Sequence, residues 1–200
     1  MIVVIAIIGV LAALIMPIAK GVRIKQMRSR AQTELNQIDT AIQDYHAKLG
    51  FYPPDSPGST NSQLYFELAG TVLTNQNQLY VTLDGSAHMA VADFGTVFGP
   101  NVTGFVNSST SASGTDDRPA PVDFLKAGLK PSQVYVTNVT GSSVFKELVC
   151  SVQNTTELNP WQYVSTNPTN NPNTYDLWVD IVIAGKTNRI SNWSAKPQVF

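Results

Sequence analysis

Residues 1–19 carry no charged or strongly polar side chain, and Lys20, Arg23, Lys25, Arg28 and Arg30 follow at once. A helix needs a run of about this length to cross the ~30 Å hydrocarbon core of a bilayer, so membrane anchoring is expected. A buried helix of a soluble domain is the weaker reading, because helices apolar on every face are seldom this long. The run has no basic segment ahead of it and no convincing A-x-A closure, so it does not read as a removed secretory signal. The pattern then changes without stopping. Apolar residues recur at Ile24, Met27, Ala31, Leu35, Ile38, Ile42, Tyr45 and Leu49, in steps of three and four that average about 3.6. Arg28, Gln32, Asn36, Asp39, Gln43 and Lys48 fall on the other face, and Gly50 with Pro53-Pro54 ends the element. The expected helix is about 70 Å long at 1.5 Å per residue, wholly apolar first and then amphipathic. No small domain can cover such a rod. Its first half is therefore expected in lipid or among other copies, with Gly9 and Pro17 marking points of kinking or local melting.

Beyond residue 54 the signals shorten. Residues 62–73 predict a short helix carrying Leu64, Phe66, Leu68 and Val72. Residues 74–121 read as irregular, with 108–121 a surface loop, and residues 124–129 as another turn of helix. Residues 134–139 and 144–152 predict strands around Thr140-Gly141-Ser142. The clearest alternation comes last, with Tyr175, Leu177, Val179, Ile181 and Ile183 against Asp176, Trp178, Asp180 and Val182. A two-residue turn at Ala184-Gly185 returns the chain through 187–193. It sets Asp180 opposite Arg189 and Val179 opposite Ile190, an ion pair outside and apolar contacts inside. The expected fold is α+β. A helix over residues 1–50 packs its second half on a domain of residues 51–200, whose small antiparallel sheet is formed mainly by residues 134–193.

Composition narrows the functional classes. The net charge is −1 and the isoelectric point about 6.1, which argues against nucleic acid as a partner. The basic cluster at 20–30 reads as membrane-proximal side chains and a solvated helix face. Cys150 is the single cysteine. It lies in an apolar stretch and reads as a buried, inert thiol, with no intrachain disulfide possible. Five N-x-[ST] sequons, at Asn101, Asn107, Asn138, Asn154 and Asn192, are expected by chance in so Asn-, Thr- and Ser-rich a chain. His46 and His88 stand without catalytic partners, and no nucleophile elbow, phosphate-binding glycine loop, H-E-x-x-H or C-x-x-C is present. The chain is not expected to be an enzyme or to carry a cofactor. Calcium is the one candidate ion, with Asp116, Asp117 and Asp123 as its loop carboxylates and Asp176 and Asp180 further along the chain.

The opening sequence VVIAIIGVLAALIMP, the long amphipathic helix after it and Gly-Phe-Tyr-Pro-Pro at 50–54 resemble the bacterial type IV pilin-like proteins. Gly9 and Pro17 fall at the spacing of that family's helix-loosening residues. Asn159-Pro160-Trp161, Tyr175-Asp176-Leu177-Trp178 and Ile190-Ser191-Asn192-Trp193 resemble elements of the major pseudopilins of type II secretion. Residues 60–140 match nothing in that family, and its calcium-binding loop is not recognisable. Family precursors carry a basic leader and a Phe-Thr-Leu-Ile-Glu-like junction, whereas this chain opens on Met1 just past that point. A truncated start is the expected explanation, and a degenerate, unprocessed copy the alternative. Without a leader, the positive-inside rule would keep residues 20–30 cytoplasmic.

The resemblance implies a fibre subunit anchored once in the bacterial inner membrane, with its domain in the periplasm. Its partners would be the membrane, copies of itself and other pilin-like subunits. Ile5, Ile8, Leu11 and Ile15 would be among the residues exchanging lipid for helix contacts. The alternative is a membrane-anchored extracytoplasmic binding module, for example for polysaccharide, using Trp161, Trp178 and Trp193. Aromatic residues at such positions more often fill a small β-rich core.

Overall fold

The computed structural model describes residues 2–74, 78–114, 119–125, 128–139, 143–152 and 158–200, and the backbone alone for residues 2–20. Helix α1 (Ile2–Leu49) ends where the sequence predicts. Gly50 adopts φ +85°, and its N–H donates to the His46 carbonyl at 2.8 Å, the left-handed closure that a side chain would disfavour. The predicted stripe is the buried one. Ala31, Leu35, Ile38, Ala41, Ile42 and Tyr45 are buried, with Ile24, Met27 and Leu49 packed at the margins of the core. Each large side chain so buried contributes roughly 1.5–3 kcal/mol. Ahead of Ala31 the covering fades, and Val22 is 61% exposed.

The segment after the helix is more ordered than its sequence predicts. Helix α2 (Leu64–Ala69) covers only part of the expected 62–73 helix, and Thr71–Thr74 instead forms strand β1. All six residues of α2 are buried, so packing holds a helix too short to stand alone. The stretch expected to be irregular contains β2 (Leu79–Thr82), β3 (His88–Ala90), α3 (Phe94–Val97) and β4 (Ser108–Ser109). No helix forms in the described part of 124–129, where the Gly128 N–H donates to the Leu125 carbonyl at 2.9 Å. Strands β5 (Val134–Asn138) and β6 (Val144–Leu148) fall where the sequence predicts, each ending earlier than expected, the second by four residues. The chain ends in β7 (Gln162–Val164), β8 (Asp176–Ile183), β9 (Lys186–Ser191) and β10 (Ser194–Val199).

These strands form two sheets where one was expected. A six-stranded sheet runs β4-β1-β2-β3-β6-β5, with β1 and β4 parallel and its other pairs antiparallel. A four-stranded antiparallel sheet runs β10-β9-β8-β7. Residues 134–193 therefore divide between them. Helix α1 packs on β8, β9 and α2, while α2 packs on β6. Phe66, Phe94, Phe98, Phe105 and Phe145 fill the space beside the larger sheet, with the Phe66 and Phe105 rings stacked 4.8 Å apart. The fold is α+β, with a long helix seated on strands.

Candidate assembly helix and sheet surface

Polar side chains fasten the second half of α1 to the domain at successive turns. Arg28 donates from Nε and Nη2 to Asn188 Oδ1 on β9, at 2.9 and 2.6 Å. The buried Glu34 accepts from the Ser151 N–H at 2.9 Å and from the Ser151 hydroxyl, and Arg30 Nε reaches it at 3.3 Å. Gln133 Nε2 donates to Gln37 Oε1 at 3.0 Å. The Tyr175 hydroxyl donates to Asp39 Oδ1 at 2.6 Å and accepts from Gln43 Nε2 at 3.0 Å. Tyr175 therefore joins two residues that periodicity alone assigns to the solvated face.

The deepest fastening is at Tyr45, whose hydroxyl donates to Glu67 Oε2 at 3.0 Å. Glu67 has no exposed surface. It also accepts the N–H groups of Val106 at 2.8 Å and Asn107 at 3.0 Å. Burial raises the Glu67 pKa and the three donors lower it, burial being the larger effect. The Tyr45 phenol is raised by burial first and by the Glu67 charge second, so it stays a donor. One carboxylate thus ties α1, α2 and the approach to β4 together. Asn107, a predicted sequon, is buried and donates to the Glu67 and Val122 carbonyls.

Two further carboxylates shape the loop before β8. Asp55 accepts the N–H groups of Ser165 and Thr166, both at 3.1 Å. Asp176 accepts those of Thr169, Asn170 and Asn171, each at 2.9 Å. The hairpin beyond has the expected register, with Asp180 opposite Arg189 and Val179 opposite Ile190. Arg189 meets Asp180 through two bonds, Nε to Oδ1 at 2.8 Å and Nη2 to Oδ2 at 2.7 Å. Ala184 and Gly185 turn it with φ of +51° and +77°, the positive pair a tight two-residue hairpin uses.

Comparison with family models, curated proteins and solved structures finds no match. Among the described residues no helix is long and apolar enough to cross a membrane. The expected span, residues 1–19, has its side chains outside them. The same holds for the side chains of Ile5, Ile8, Leu11, Ile15 and Pro17, although α1 is helical through Gly9 and Pro17.

Of the calcium candidates, Asp116 and Asp117 also lie outside the described residues. Asp123 Oδ1 accepts the Leu125 N–H at 2.8 Å. Asp176 and Asp180, the later carboxylates, are engaged by loop amides and by Arg189. No group of three His, Cys, Asp or Glu placed to hold a metal occurs among the described residues. Cys150 is buried, and burial pushes its thiol up to about 12. His46 stacks on Tyr52 at 4.2 Å, and His88, on β3, pairs with Val81 of β2 and Val144 of β6. Trp161 is 2% exposed and belongs to the core, whereas Trp178 and Trp193 meet on the outer side of the four-stranded sheet.

Proposed function

We propose that the chain is a structural subunit of a type II secretion pseudopilus or a related type IV pilus-like fibre. Before assembly, residues 1–19 hold it in the inner membrane, with residues 51–200 in the periplasm. The observation that carries this reading is the mismatch between helix and domain. Helix α1 spans 48 residues, yet among the described residues its fully buried positions begin only at Ala31. At 1.5 Å per residue, about 40 Å of helix precedes Ala31. Such a helix needs another environment. Lipid supplies one and the same segment of neighbouring copies supplies the other, and an apolar helix passes between them at little transfer cost. The hydrogen bonds from Arg28 to Tyr45 make helix and domain one piece, so subunits stack without rearranging.

The test is an Ile8→Asp chain expressed alongside the assembly machinery. A charge at the helix centre costs roughly 2.5–3.5 kcal/mol on insertion scales. The expected result is loss from the membrane fraction and from sheared fibres. Normal incorporation of Ile8→Asp into fibres would overturn the reading.

A further inference from the structure

We infer that the outer face of the four-stranded sheet is a binding platform for a neutral glycan chain, with Trp178, Trp193 and Arg189 as its principal contacts. This does not depend on the fibre reading. Along β8, Leu177, Val179, Ile181 and Ile183 are buried, so strand alternation turns Trp178, Asp180 and Val182 outward. The ladders align three rows on that face. Gln162, Trp178 and Ser191 form the first, Asp180, Arg189 and Gln198 the second, and Val182 with Thr187 the third. Phe200 bonds through its N–H to the Thr187 carbonyl at 3.0 Å and is 70% exposed.

The aromatic groups form a connected strip. The Trp178 and Trp193 rings lie 5.7 Å apart, both half-buried. The Arg189 guanidinium carbon is 5.8 Å from the Trp178 ring centre and 5.6 Å from that of Phe200. Arg189 lies over one face of Trp178 and of Phe200, and Trp193 meets Trp178 edge to face, so the apolar ring area left for a ligand is what these contacts do not cover. It suits a ligand apolar on its faces and polar at its rim. A pyranose has that character, its C–H groups lying against a ring while its hydroxyls turn to neighbouring amides.

Charge selects among ligands. The three rows contain two charges, Asp180 and Arg189, and these are paired with each other through two bonds. Phosphate, nucleic acid and acidic peptide call for several cations free to pair with them, whereas the rows hold only Arg189, already paired with Asp180, with Lys196 exposed beside them on β10. An amphipathic peptide helix would seek an apolar groove. Here the surface is an open sheet in which Gln162, Thr187 and Gln198 alternate with the rings, supplying donors and acceptors for hydroxyls.

The test uses the full chain in detergent micelles, titrated with cellohexaose and chitohexaose while tryptophan emission is followed. Retention on cellulose and chitin beads is measured in parallel. At least one probe should shift the emission saturably. Trp178→Ala should abolish the shift, Trp193→Ala should weaken affinity roughly tenfold or more, and Trp178→Phe should retain part of it. Circular dichroism melts identify any variant that fails to fold, and Trp178→Phe then carries the comparison. Absence of any shift or retention with both probes would overturn the inference, as would alanine variants that bind like the parent. Loss of crosslinks between copies in Trp178→Ala, with no glycan retained by the parent, would also overturn it and assign the face to subunit packing.

Discussion

Glu147 illustrates how strongly single residues set the behaviour of this domain. It lies on β6, 8% exposed, and accepts the Ser62 N–H at 3.2 Å. Burial raises its pKa from 4.5 to about 7, against the smaller opposing effect of that bond. The folded state therefore holds this proton through a range in which the unfolded chain has released it. Between about pH 4.5 and 7 the folded form binds more protons, so stability falls as pH rises. Glu147→Gln should be more stable than the parent at pH 8, by up to about 3 kcal/mol, with the gap closing toward pH 4.5. Parallel melting curves at pH 5 and 8 would contradict this. Glu67, also raised, leaves the variant a residual slope of the same sign. None of these buried carboxylates is legible in the sequence. Glu67 meets Val106 and Asn107, and Asp55 meets Ser165 and Thr166, about 40 and 110 residues away. Composition counts them as ordinary surface charges. A pattern of period two or 3.6 carries no information on such loop amides.

Elements were legible in proportion to their length and regularity. The stripe from Ile24 to Leu49 repeats often enough to define both the face and the end of α1, and the alternation in β8 fixes the hairpin register to the residue. β1, β2, β3 and β4 are two to four residues long, shorter than any periodic window. β10 contains Lys196 and Pro197, residues that suit an edge strand and disguise it. Distinguishing the two halves of α1 is a matter of substitution. Ile38→Ala, at 1% exposure, should cost about 2–4 kcal/mol in thermal or chemical unfolding. Val22→Ala, at 61% exposure, should stay within about 0.5 kcal/mol of the parent. Equal effects at the two sites would mean that the domain covers more of the helix than its burial pattern indicates.

In the whole molecule, a helix longer than its domain leaves Val22 accessible while Cys150 is enclosed. With burial pushing its thiol up to about 12, Cys150 is held as the unreactive thiol at pH 8. Maleimide should therefore leave the native chain unlabelled until it unfolds, and should label Val22→Cys at once. Under mild oxidation in membranes or fibres, Val22→Cys should give disulfide-linked dimers. A monomer throughout would argue against packing between helices. The placement of the fastenings has a mechanical consequence as well. From Arg28 to Tyr45 they occupy about 25 Å of helix, side by side along one axis. A pull along that axis loads them together in shear, sharing the force among these hydrogen bonds and the apolar stripe. A sideways tug at Leu49 would meet them one at a time, like a strip being peeled. The domain is thus built to follow its helix lengthwise and is weakest across it.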